Sequence, residues 1–502
     1  MKKTTSLLCL LLALALFFVS AFADTGAPSI NWYEVFVYSY ADSDGDGIGD
    51  LRGLIGKLDY IRELGYDGIW LMPVMPSPSY HKYDVTDYMN IDPEYGSLDD
   101  MGALVKAAHE KGIRLIIDLP VNHTSTQHPW FLSAVNALKK GEDNNPYIEY
   151  YNFTKTPDSK TVPVEGTDWH YEEQFSGGSM PDLNLDSQAV REEIREILRF
   201  WLTDLNVDGF RLDAVTSFYA GNDPKSIEFL RFLKESAEQI KPGSFLVGEC
   251  WKGLHQIADY YQSGIDSFFL FPASQAEGYI ASSMRARKPA EAYVKNYQKV
   301  KDALPDVLWT PFLSNHDTGR TVGLVQGRQA PERVKFAHAL LGLMEGFTFT
   351  YYGEEIGMAG AGEDPNKRLA MDWGDVPRTN QPPGVTREEY PFPPVNEQMQ
   401  DPLSIFNYVK ALNHLRQTYP EIALGETAFE QVNADSLLMR KSLFDAELYL
   451  AVNFSAKETR DITLPASLTL QDGLYTGEEK AVLNGETLSL PPYGIAVLLP
   501  KR

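Results

Sequence analysis

Short apolar runs recur along the chain, each followed by a stretch with helical spacing. The runs are Val35–Tyr38, Gly68–Met72, Arg114–Asp118, Gly209–Asp213, Phe245–Glu249, Ser267–Leu270, Leu308–Leu313 and Phe347–Tyr352. They are continuous in apolar character rather than alternating. That pattern fits strands of a parallel sheet covered on both faces. Between them, Leu51–Leu64 and Leu98–His109 carry apolar residues at helical spacing, and Gly112 offers a helix stop. Eight strand–helix units predict an α/β fold, a (β/α)8 barrel.

The spacing breaks twice. Between the third and fourth strands, from Leu119 to about Asp186, the chain is rich in Asn, Pro, Tyr and Gly. A segment this long predicts an inserted subdomain of low helix content. From about Glu426 the pattern becomes one of short strands and turns, including Leu437–Ser442, Glu447–Val452, Thr487–Leu490 and Ile495–Leu499. This predicts a C-terminal antiparallel β-sandwich. The N-terminus is different again. Lys2 and Lys3 precede an apolar run from Leu7 to Val19, and Ala21-Phe22-Ala23 supplies a small-x-small cleavage site. This has the form of a secretory signal. The expected organisation is therefore a signal peptide at 1–23, a barrel built from 24–122 and 187–424, an inserted subdomain at 123–186 and a β domain at 425–502.

Composition narrows the function classes. The 502 residues carry 45 Lys+Arg against 69 Asp+Glu, for a formal charge of −24. Loss of Lys2 and Lys3 with the leader would take this to −26. Binding along a nucleic-acid backbone requires a basic surface, so no nucleic-acid partner is expected. After the leader, no apolar stretch has the roughly 18 residues of a membrane span. Of the two cysteines, Cys9 falls in the leader, and Cys250 is left with no internal partner.

In a barrel of this kind, reactive residues sit at the C-terminal ends of the strands. Four of the eight predicted ends carry an acid or a histidine: Asp118 with His123, Asp213, Glu249, and His316 with Asp317. One such Asp is unremarkable as a helix cap, but four converging on one barrel mouth are not. Two carboxylates across a cleft are the minimum needed to cleave a glycosidic bond. Arg211 lies two residues before Asp213 on one strand and faces the same way. A buried cation there favours the ionised form that a nucleophile needs. The apolar residues before Glu249 favour its protonated form, which an acid catalyst needs.

Several motifs carry a resemblance. They are Asp118-Leu-Pro-Val-Asn-His123, Met180-Pro-Asp-Leu-Asn184, Gly209-Phe-Arg-Leu-Asp-Ala214, Val247-Gly-Glu249, Phe312-Leu-Ser-Asn-His-Asp317 and Tyr351-Tyr-Gly-Glu-Glu-Ile-Gly357. Together, and in this order, they resemble the α-amylase family, glycoside hydrolase family 13. The resemblance spans almost the whole chain. It implies a retaining mechanism with Asp213 as nucleophile, Glu249 as general acid/base and Asp317 as a third carboxylate that holds sugar hydroxyls. It further implies sugar contacts from His81, Tyr83, His123, Arg211, His316, Asp364 and Arg368. Thr216 and Ser217 replace a lysine and a histidine common in the family.

Asp42-Ser-Asp-Gly-Asp-Gly-Ile-Gly-Asp50 sets carboxylates at alternate positions among glycines, which suits a hard cation. It is not an EF-hand, because the twelfth position is Gly53. Similar loops in the family bind calcium, which implies a structural Ca2+ held by Asp42, Asp44, Asp46, Asp50 and the Ile48 carbonyl. Zinc is not expected, because no His-Glu-x-x-His and no cysteine pair is present.

The Met180–Asn184 motif resembles a type intermediate between oligo-1,6-glucosidases and neopullulanases. Ala214 resembles the α-1,4-cleaving members, where α-1,6-cleaving ones commonly carry valine. The expected activity is a secreted, monomeric endo-hydrolase of α-1,4-glucans. Alternatives are an exo-acting α-glucosidase or an oligosaccharide glucosidase or neopullulanase-like enzyme and, from another class, a non-catalytic glycan-binding protein. The last is disfavoured by the intact set of Asp213, Glu249, Asp317 and Arg211.

Overall fold

The computed structural model describes residues 28–175, 177–465 and 467–501. The expected leader at 1–23 lies outside the described residues. Seven strands form one parallel sheet, in the order Thr348–Tyr351, Asn31–Val35, Gly68–Leu71, Arg114–Leu119, Gly209–Leu212, Phe245–Gly248, Ser267–Phe268. The register runs Tyr33 to Ile69, Ile69 to Leu115, Ile116 to Gly209 and Phe210 to Leu246. The sheet closes through Thr310, which bridges to Phe269, and Phe312, which bridges to Phe349. The result is the (β/α)8 barrel.

The seventh expected strand, Leu308–Leu313, thus contributes two bridges in place of a ladder. Pro311 lies at its centre and has no N–H to donate. The first strand also differs from expectation. It spans Asn31–Val35 rather than Val35–Tyr38, and Val37–Ser39 is a 3-10 turn. Residues 29–40 are buried without a break. The turn is as apolar as the strand, so hydrophobicity alone did not mark where pairing ends. The helical stretch at 51–64 is two helices, Leu51–Ile55 and Leu58–Glu63, separated at Gly56-Lys57.

The barrel interior is packed with aromatic side chains: Trp32, Trp70, Phe245, Phe269, Phe312 and Phe349 among them. Trp32 stacks between Phe245 and Phe349, with ring centres at 5.1 and 5.4 Å. It lies on the bare backbone of Gly68, where a Cβ would come within 2.4 Å of the indole.

Residues 123–186 hold a three-stranded antiparallel sheet of Phe153–Thr154, His170–Glu172 and Thr161–Pro163. They also hold a helix, Pro129–Lys140, which corrects the expectation of low helix content. Pro129 opens that helix, Phe131, Ala134, Ala137 and Leu138 bury one face, and Gly141 ends it in a left-handed conformation. At the C-terminus, a five-stranded antiparallel sheet faces a three-stranded one. Leu438, Ala451, Ile462, Leu488, Leu490 and Leu498 fill the space between, forming a β-sandwich. Among the described residues, no helix is long and apolar enough to cross a membrane.

Candidate active site

The strand ends converge at one mouth of the barrel. Arg211 lies inside the strand Gly209–Leu212 with no exposed surface. Its Nη1 donates to both oxygens of Asp118 at 3.0 Å and to Asp213 Oδ1 at 2.5 Å. Its Nη2 lies 3.1 Å from Glu249 Oε1, a contact outside hydrogen-bond geometry. Three carboxylates therefore share one buried guanidinium. Burial alone would weaken that cation, but Asp118 and Glu249 outweigh burial and raise its pKa further.

Asp213 follows the last residue of its strand, and Ala214 comes next at φ 44°. A left-handed conformation at a residue with a Cβ costs about 1–2 kcal/mol. The kink aims the Ala214 N–H at Glu249 Oε2, 2.8 Å away. Glu249 follows the strand Phe245–Gly248 and is 7% exposed. Burial, reinforced by the charges of Asp213 and Asp317, pushes its carboxyl up to about 8, against the pull of Arg211 and the Ala214 N–H.

The third carboxylate has a different environment. Asp317 Oδ2 lies 3.0 Å from His316 Nε2, and its Oδ1 accepts from Arg368 Nη2 at 3.0 Å. Burial would raise its pKa, but these two cations hold it well below the usual carboxylate range. Two acids of similar type thus face the same cleft in opposite states.

Tyr83 reaches the same cluster. Its hydroxyl donates to Asp118 Oδ2 at 3.0 Å and meets His316 Nε2 at 2.7 Å. Lys82 just before it adopts φ 65° and pairs its ammonium with Asp92 and Glu94 at 2.8 and 2.5 Å. That anchor fixes the turn that presents Tyr83. His81 Nδ1 accepts from the Tyr83 N–H at 3.2 Å, and burial drops the ring to about 4, so it is neutral. His123 Nε2 lies 3.2 Å from the Tyr83 carbonyl, and burial lowers its pKa also.

A cavity of about 350 Å³ lies over these groups, lined by His81, Tyr83, His123, Asp213, Glu249, Asp317, Asp364 and Arg368, among others. Arg211 lies beneath it. Arg368 pairs with Asp317, whereas Asp364 pairs with Lys367 at 2.7 Å. Sequence reasoning left several neighbours unassigned. Trp251, 48% exposed and stacked on Phe271 at 4.4 Å, lines the cleft together with Phe175, Met180, Thr216 and Ser217. Glu34 is buried in the first strand, 2.6 Å from His316 Nδ1. An acid amid the apolar stretch Ile30–Tyr38 was the available signal for it.

In the acidic loop, carboxylate oxygens of Asp42, Asp44 and Asp50 lie within 4.8 Å of one another. Asp46 is not in that group, and its Oδ1 accepts from the Ile48 N–H at 2.7 Å. Asp50 also caps the following helix through the Gly53 N–H at 2.7 Å. Three clustered carboxylates without a basic partner in the group fit a hard divalent cation.

A barrel mouth that joins a proton-holding carboxyl, a cation-bound carboxylate and a sugar-sized cleft has the make-up of a glycoside hydrolase. The alpha-amylase catalytic domain profile matches residues 34–425, and the chain belongs to that family, glycoside hydrolase family 13. It is 34% identical to Alpha-amylase 3 of Dictyoglomus thermophilum, over 99% of this chain and 98% of that one. It is 30% identical to an oligo-1,6-glucosidase of Parageobacillus thermoglucosidasius, over 85% of this chain and 90% of that one. Among solved structures, Eubacterium rectale Amy13B superimposes with a TM-score of 0.90 at 41% identity, over 95% of this chain and 97% of that one.

Proposed function

We propose that the protein is a secreted, monomeric α-amylase that cleaves α-1,4 links within starch-like polymers. The observation that carries this reading is Trp251. Its half-exposed indole lies two residues beyond the proposed acid and borders the cleft. It offers a stacking surface for a further glycosyl unit of an oligomeric substrate. The name of the Dictyoglomus relative supports the same reading. The Lys2-Lys3 leader motif supports export.

In this reading the Asp213 carboxylate attacks the anomeric carbon while Glu249 gives its proton to the leaving glycosidic oxygen. The carbon–oxygen bond breaks and a glycosyl ester forms on Asp213. Water then gives a proton to Glu249, its oxygen bonds to the anomeric carbon, and Asp213 leaves as carboxylate. Asp317 grips sugar hydroxyls, with His123 and His316 beside it. His81, Tyr83, Asp364 and Arg368 line the same subsite, and Arg211 holds the nucleophile in place. Calcium at Asp42, Asp44 and Asp50 serves stability, with Asp46 and the Ile48 carbonyl as further ligands of the loop.

The oligo-1,6-glucosidase relative keeps an exo-acting reading in view. A time course of products from soluble starch separates the two. Mid-length maltooligosaccharides appearing first establish endo attack, whereas glucose alone from the start refutes it. The Glu249→Gln protein must release neither.

A further inference from the structure

We infer that Glu34 is a positioning residue that holds His316 as a doubly protonated imidazolium, and thereby keeps the Asp317 side of the sugar subsite in its working form. The inference rests on the proposed role of Asp317 and His316 in sugar binding.

Proton counting around His316 carries the argument. The Tyr83 hydroxyl has one proton. It donates that proton to Asp118 Oδ2 at 3.0 Å. The 2.7 Å contact between the Tyr83 oxygen and His316 Nε2 is then a hydrogen bond only if Nε2 carries a proton. The same nitrogen lies 3.0 Å from Asp317 Oδ2, which also calls for a donor. On the other side of the ring, Nδ1 lies 2.6 Å from Glu34 Oε1. That oxygen also accepts the His316 backbone N–H at 3.4 Å, and the charge and hydrogen bond of His316 pull the Glu34 carboxyl down against the burial that raises it. With Glu34 and Asp118 as carboxylates, both ring nitrogens donate, and a ring with two N–H groups is cationic.

The surroundings agree with that charge. Glu34 and Asp317 flank the ring on opposite edges, Asp118 lies one hydroxyl away, and Tyr83 stacks on it at 5.6 Å with an interplanar angle of 17°. Arg211 opposes the charge, because it sits on the adjacent strand against Asp118. Arg368 also opposes it, with its Nε 3.3 Å from the His316 carbonyl. Trp70 closes the remaining side, edge-on at 5.6 Å. Burial works against the imidazolium, yet Asp317 and Glu34 together raise the ring to about 9.

Glu34 does not line the cleft. Its action on the sugar runs through His316. The alternation Glu34, His316, Asp317, Arg368 is a line of opposite charges from barrel strand to cleft. Its outer members, Asp317 and Arg368, line the cleft, and its inner members, Glu34 and His316, are buried behind them.

The test is an NMR titration of the His316 ring in the full chain, with its resonances identified by their loss in His316→Gln. Both ring nitrogens of the wild type should give protonated shifts at pH 7. A neutral ring there overturns the inference without recourse to any variant. In Glu34→Gln, which keeps an acceptor but no charge, the ring should titrate at least one pH unit lower, about a tenfold weaker proton affinity. An unchanged titration overturns it as well. On a maltooligosaccharyl fluoride, whose cleavage needs no proton from Glu249, kcat/KM of the same variant should fall at lower pH than that of the wild type, which a merely structural defect would not produce. Failure of the starch product assay with the NMR result intact would instead refute the glucan reading alone.

Discussion

Glu249 sets the sharpest test of the acid role. With its carboxyl at about 8 rather than the ordinary 4.5, roughly nine-tenths of it is protonated at pH 7. At the ordinary value about 0.3% would be, so the site gains about 300-fold in acid form. The protonated form is the active one for bond cleavage, so activity is retained below pH 8 and lost as pH rises through it. The measurement is kcat/KM against pH for two substrates with the same sugar: an aryl maltooligosaccharide and the corresponding glycosyl fluoride. Fluoride leaves without a proton. The alkaline limb near pH 8 should be pronounced for the aryl substrate and weak for the fluoride. Glu249→Gln should cost about 10²–10⁴ on the aryl substrate, the usual range for a general acid. On the fluoride it should release one equivalent rapidly and then stall, because no base remains to activate water. Equal losses on both substrates, or an alkaline limb that survives in Glu249→Gln, would refute the reasoning.

Three further outcomes follow from the same geometry. Arg211→Met leaves Asp118, Asp213 and Glu249 without their shared cation, and thermal unfolding should register a loss of about 3–5 kcal/mol. Glu249→Gln should be the more stable protein at alkaline pH. The folded pKa of Glu249 is raised, so its contribution is full below about 4.5 and is lost as pH rises through about 8. The stability advantage of the variant, followed by thermal unfolding, should grow across that window, towards at most about 5 kcal/mol. Calcium at about 100 times its Kd should stabilise the wild type by about 2.7 kcal/mol. Calorimetry should find that gain absent in Asp42→Ala/Asp44→Ala, and its persistence there would remove the metal from this loop.

Much of the fold was legible because a parallel barrel strand announces itself as a continuous apolar run. Boundaries were less so, since burial extends past hydrogen bonding. Phe36 and Val37 are buried beyond the end of the first strand, and no local pattern distinguishes them from Tyr33 within it. The helix Pro129–Lys140 was overlooked because its neighbours are rich in turn residues, although its own Pro and Gly mark both ends. Strand-end acids pointed to Asp213, Glu249 and Asp317, because position along a strand fixes which end a side chain serves. Partners across the barrel were another matter. That Arg368 would grip Asp317 while Asp364 turns to Lys367 depends on tertiary placement. Glu34 was missed for a related reason. With the first strand drawn four residues late, the one acid inside it fell outside the pattern.

The division of labour between Asp213 and Glu249 follows from charge accounting at the barrel mouth. Five acids meet there: Glu34, Asp118, Asp213, Glu249 and Asp317. They face three cations: Arg211, Arg368 and the His316 imidazolium. Each of Asp317's two oxygens meets a cation, and Glu34 has His316. That leaves Asp118, Asp213 and Glu249 to share Arg211. Asp213 has the shortest contact, 2.5 Å, to a guanidinium nitrogen that it shares with Asp118. Glu249 has the least favourable one, 3.1 Å and misaligned. A buried group of five acids and three cations lowers its energy by keeping protons where cation contact is poorest. Glu249 is that place. The proton for the leaving oxygen is thus stored by the shortage of cations, and its location is set by which carboxylate Arg211 fails to hold.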